Sequence, residues 1–162
     1  MRILIYGYGN PGRQDDGLGI ELVNRLEKWT AEKGLPGFTF DNNFQLNIED
    51  AEVISNYDLV IFADASKEDI GDFCFSLVDG VGDLAFTTHA ASPGYILRLC
   101  KELFQKEPLV LLLHIKGHEW DFQEGLSLQA AENLKNAFAH ITAFLEYSDS
   151  AIESIDKLKY CE

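Results

Sequence analysis

Two stretches, Asp58–Ala65 and Leu109–Ile115, are apolar on both faces of an extended chain. A strand with water on one side alternates apolar and polar residues, so a bifacial apolar run of about four to eight residues belongs inside a sheet covered on both sides. Parallel sheets with crossover helices meet that demand. The rest of the chain supplies the helices. Leu18, Leu22, Val23, Leu26 and Trp29 recur at helical spacing before Gly34, and Ser92-Pro93 caps and starts a helix whose stripe is Ile96, Leu97, Leu99, Cys100, Leu103 and Phe104. Ser127 caps a last helix sharing Leu128, Ala131, Leu134, Phe138, Ile141, Phe144 and Leu145 on one face. Arg2–Tyr6 and Phe38–Asn43 read as strands and Asn47–Ile54 as a short acidic helix; Phe73–Val78, reached by a short polar turn, reads as an antiparallel edge strand. Leu84–His89 leads into the Ser92 helix. The expectation is an α/β three-layer sandwich whose central sheet has about five mostly parallel strands and one antiparallel edge. Residues 1–147 form its single domain and 148–162 a C-terminal tail.

With 162 residues and a formal net charge of -14, the chain repels phosphate backbones, so nucleic acid is excluded as a partner. No apolar run approaches the roughly 20 residues of a spanning helix, and no signal-peptide pattern precedes the first strand. Cys74, Cys100 and Cys161 are odd in number and show no metal or redox spacing. They read as reduced thiols, and the expected location is the cytoplasm.

Chemistry is sought where strands end at their carboxyl edges, since ligands of open α/β sheets bind there. The first strand breaks into Gly7-Tyr8-Gly9-Asn10-Pro11-Gly12-Arg13-Gln14-Asp15-Asp16-Gly17. Gly7, Gly9 and Gly12 match the dinucleotide-binding spacing, which leaves a Rossmann-like nucleotide site as an alternative. Against it, Pro11 removes an amide and Asp15-Asp16 place negative charge where a pyrophosphate would rest. An aspartate at a helix entrance ordinarily caps free amides. One capping position cannot use both Asp15 and Asp16, so the second carboxylate projects toward the strand ends. Asp64 closes the central strand, and His89 precedes a helix whose amino end disfavours imidazolium and keeps a ring nitrogen available. Two carboxylates and an imidazole make an O,O,N donor set for a divalent metal. His114, inside an apolar strand, reads as a hydrogen-bonded core residue, and His140 lies on a helix flank. His118, in a polar loop, is a candidate for contact with substrate.

Gly7–Pro11 followed by Asp15–Gly19, Asp64-Ala65, Thr88–Pro93, Ile115–Gly117 and Phe122–Ser127 resemble the NiFe-hydrogenase maturation endopeptidases over nearly the whole chain, the tail apart. The resemblance implies a cytoplasmic protease that removes the C-terminal extension of a hydrogenase large-subunit precursor after nickel insertion; a monomer with no membrane insertion is expected. It implies that Asp16, Asp64 and His89 contact nickel supplied by that precursor, with Asp16 and Asp64 also candidates for acid–base work on the scissile bond. Some family members carry glutamate where this chain has Asp16, and the shorter side chain changes reach rather than ligand type. Gly9, Asn10 and His118 are the expected substrate-binding residues, the glycine-turn amides serving the peptide backbone or an oxyanion. A non-catalytic nickel-binding maturation chaperone is the second alternative.

Overall fold

The computed structural model describes residues 1–80, 91–147, 152 and 155, and the backbone of 159–161. Leu84–His89, and with it the expected metal ligand His89, lies outside the described residues. The elements are β1 (Ile3–Tyr8), a 3-10 turn (Pro11–Gly17), α1 (Leu18–Lys33), β2 (Phe38–Asn43), α2 (Asp50–Ile54), β3 (Leu59–Ser66), β4 (Phe73–Leu77), α3 (Pro93–Phe104), β5 (Leu109–Lys116), α4 (Leu128–Glu146) and β6 (Lys159–Cys161).

Among the described residues the sheet runs β2-β1-β3-β5-β4-β6. β2, β1, β3 and β5 are mutually parallel, whereas β4 is antiparallel to both β5 and β6. The bifacial apolar strands are therefore adjacent at the centre. Alternate side chains serve two cores. Ile3, Ile5, Leu59, Ile61, Leu111 and Leu113 pack with α1 and α4, while Leu4, Tyr6, Val60, Phe62 and Val110 pack with α2 and α3. This is the three-layer sandwich that the sequence predicts.

Three expectations are corrected. β4 is antiparallel but not an edge, because β6, drawn from the tail, pairs along its outer side. That pairing sets Cys74 opposite Cys161 along the backbone, and Cys74 is disulfide-bonded while Cys100 is a buried free thiol. Three reduced thiols were expected, and the disulfide at Cys74 overturns that reading for one of them. Leu128 and Leu103, assigned to buried stripes, are 92% and 62% exposed, since the buried faces of α4 and α3 run through Ala130, Leu134, Ala137 and Ile141 and through Ile96, Leu97 and Cys100.

Candidate functional site

The glycine turn is shaped by close packing. Gly9 holds φ at +136°, and a side chain there would collide with the backbone carbonyl of Asp16. Gly19, in the first turn of α1, lies so close to the Ala63 carbonyl of β3 that any Cβ would overlap it. Small residues here let the start of α1 press against the carboxyl ends of β1 and β3. The amides that would greet a pyrophosphate are already spent. The Gly9 amide donates to the Asn43 carbonyl (3.1 Å), the Asn10 amide to Asp16 Oδ2 (2.9 Å) and the Gly12 amide to Asn10 Oδ1 (2.9 Å). The same bonds withdraw the Gly9 and Asn10 amides from the substrate or oxyanion role expected of them.

Neither aspartate of the pair caps α1, whose N-cap Gly17 has no side-chain partner. Asp15 is fully buried and turned away from its own helix. Its Oδ2 accepts from the amides of His118 (2.7 Å) and Glu119 (2.8 Å) and from Ser127 Oγ (2.7 Å), and its Oδ1 accepts from the Ser127 amide (2.8 Å). Burial pushes its carboxyl up, but these hydrogen bonds together pull it below the ordinary carboxylate value. Asp16 turns instead to the Asn10 amide, and its charge is felt by Asp64.

Asp64 ends the run of β3 with one oxygen on its own-strand neighbour, the Ala65 amide (2.8 Å). Burial, then the charge of Asp16, raise its pKa to about 7 against the weaker pull of the Ala65 amide and the nearby Tyr8 hydroxyl. Burial raises Tyr8 far above a normal phenol, followed by the Asp64 charge and their hydrogen bond, so the hydroxyl stays a donor. The structure thus brings Asp16 and Asp64 together as an interacting pair at the carboxyl edge of the parallel strands. Two oxygen donors with mutual repulsion suit a cation. Among the described residues no three His, Cys, Asp or Glu side chains are close enough to hold a metal ion.

His118 is exposed; its ring lies 3.2 Å from Asn133 Nδ2 on α4, and its backbone serves Asp15. His114 is the residue that sequence reasoning passed over. Parallel pairing sets it directly beside Asp64, so both side chains emerge on the α2/α3 face, with Cys74 next in the same row. Its ring makes no hydrogen bond to another described residue, contrary to the expectation of a satisfied core histidine. Burial lowers its pKa, partly opposed by Glu68. The signal was available only as register: two bifacial strands in parallel alignment put the ends Asp64 and His114 level.

No family model matches the chain, and no curated protein does. Solved structures do. The hydrogenase maturating endopeptidase HybD from E. coli superposes with a TM-score of 0.70 at 20% identity over 91% of this chain and 94% of its own. The NiFe hydrogenase maturation protease HycI from Thermococcus kodakarensis gives 0.69 at 24% identity over 90% and 92%. A hydrogenase 2 maturation peptidase from a Thaumarchaeota archaeon gives 0.66 at 22% identity over 90% and 99%. The family that the motifs resemble is thus the family whose solved structures share this fold. No described helix is long and apolar enough to cross a membrane.

Proposed function

We propose that the chain is an endopeptidase that removes the C-terminal extension of a hydrogenase large-subunit precursor once nickel is in place, reading that nickel through Asp16, Asp64 and His89. The observation that carries this reading is the half-buried Asp16–Asp64 pair, in which the charge of Asp16 opposes ionisation of Asp64, at the strand ends of a fold shared with hydrogenase maturation proteases.

The chemistry follows from the pair. With its pKa near 7, Asp64 is poised between a neutral acid and a carboxylate, and an arriving divalent cation favours the carboxylate by supplying the missing charge. A precursor without nickel offers no such compensation, so the two acids remain ill matched to it. Nickel in this scheme is part of the substrate. The Tyr8 hydroxyl favours the Asp64 carboxylate electrostatically, and the Asn10 amide holds Asp16. Either carboxylate can then take a proton from a water attacking the scissile carbonyl, which requires a pKa near the working pH. Asp64 meets that requirement before a cation is bound. The Asn10 side chain and His118 remain the candidates for holding the peptide, and the chain acts as a monomer.

The deciding experiment mixes purified protein with nickel-loaded and nickel-free precursor and follows precursor mass. Loss of a C-terminal peptide from the loaded form alone, abolished by Asp64→Ala and by His89→Ala, is expected. Equal cutting of both forms would remove nickel as the signal, and nickel binding without any cutting would leave a chaperone.

A further inference from the structure

Asp16 follows two residues whose side chains and amides are directed the opposite way. The Gln14 backbone sits at φ 47°, ψ -113°, a conformation that a residue with a side chain rarely adopts and that its surroundings must enforce. The enforcement comes from one loop. The Gln14 amide donates to the Gln123 carbonyl (2.9 Å), its Nε2 to Glu119 Oε2 (3.1 Å), and its Oε1 accepts from the Asp121 amide (3.0 Å). Asp15 adds its own amide to the Glu119 carbonyl (3.1 Å) and receives the four bonds from His118, Glu119 and Ser127.

Ser127 is also the N-cap of α4, its Oγ accepting from the Ala130 amide at 3.2 Å. One hydroxyl therefore joins the start of a 19-residue helix to the turn before Asp16. With residues 14 and 15 pinned to the β5–α4 loop, the chain can only present the next side chain on its other side, where the Asn10 amide and Asp64 lie.

We infer that Asp15 and Ser127 are positioning residues of the site: their buried bond network, together with the clamped Gln14, fixes where the Asp16 carboxylate points. The inference rests on the reading of Asp16 as a site residue, yet its geometry can be tested without any protease activity. Outer partners that orient a ligand group ordinarily matter by about 10- to 100-fold in affinity or rate.

The direct reporter is the Asn10 amide, because it donates to Asp16. Its hydrogen exchange is compared with that of the buried β-strand residues Ile61 and Leu111 in wild type, Ser127→Ala, Asp15→Asn and Ser127→Thr, with Ile54→Ala as a control. Ile54 is buried in the other core, near the amino ends of the strands, and its truncation lowers stability without touching the clamp. The expected result is Asn10 exchange faster by about tenfold or more, relative to the strand amides, in Ser127→Ala and Asp15→Asn, restored in Ser127→Thr and unchanged in Ile54→Ala. On nickel-loaded precursor the same two variants should lose kcat by about tenfold or more while KM stays within about twofold. Unchanged Asn10 exchange in folded Ser127→Ala, or an equal rise in Ile54→Ala, overturns the inference. If the wild type cuts no precursor, the protease reading fails while the exchange comparison still decides the positioning role; should Asp15→Asn not fold, Ser127→Ala decides alone.

Discussion

Replacing Asp64 with asparagine should make the protein more stable, and increasingly so as the pH rises. A carboxyl held at about 7 in the fold but at 3.8 in the unfolded chain binds its proton more tightly when folded. Its contribution is therefore fully favourable below the unfolded value and is lost as the pH climbs through 7. Across that span the cost of ionising it inside the fold amounts to about 4 kcal/mol. At pH 5 the folded group is still neutral while the unfolded one is ionised, which realises only the smaller part of that cost; by pH 8 nearly all of it is present. Asparagine keeps an oxygen for the Ala65 amide and carries no charge for Asp16 to oppose. The stabilisation of Asp64→Asn over wild type should thus grow by about 2–3 kcal/mol between pH 5 and pH 8, roughly 4–12 °C in Tm for a chain of this size. Denaturant melts of both proteins at the two pH values measure it, and the common titration of all other groups cancels in the difference. A stability difference independent of pH would refute the reasoning. Asp16→Asn supplies the internal check: with the second charge gone, the Asp64 carboxyl should titrate lower by NMR.

Asp15 behaves in the opposite sense. Its carboxyl is held below the ordinary value, so its stabilisation is complete above the unfolded pKa and disappears as the pH falls. Asp15→Asn should cost about 2–5 kcal/mol at pH 7, where it forfeits charge-assisted bonds, and the deficit should shrink in melts near pH 3. Gly19→Ala forces a methyl onto the Ala63 carbonyl and should destabilise by about 1–3 kcal/mol, whereas Gly34→Ala, at φ 65° with open space around it, meets strain but no collision and should cost less. Under denaturing, non-reducing conditions an alkylating reagent should label Cys100 and leave Cys74 unmodified until a reductant is added, as read by peptide mass.

The parts legible in the sequence are those whose cause is local. The bifacial runs at β3 and β5 announced a covered parallel sheet, and Ser92 and Ser127 sit as N-caps with hydroxyls on Tyr95 and Ala130, as capping chemistry requires. What escaped depends on partners far along the chain. Asp15 looks like a cap until His118, Glu119 and Ser127, more than 100 residues away, are seen to donate four hydrogen bonds to its two oxygens. β6 is three residues long and owes its existence to the exposed side of β4, so no periodicity could reveal it.

The division of labour between Asp15 and Asp16 also explains why the motif needs two acids in succession. One carboxylate must be consumed to bind the turn to the β5–α4 loop, and a group so thoroughly hydrogen-bonded has nothing left to offer a substrate. The next residue inherits a fixed position and a single amide partner, and its charge is felt by Asp64 instead. Fully satisfied and incompletely satisfied carboxylates, side by side in sequence, therefore have their acidities governed in opposite ways: bonds pull Asp15 down, while Asp16 helps hold Asp64 up. The contrast places acid–acid repulsion at Asp16 and Asp64 and removes it from Asp15, whose bonds are already made.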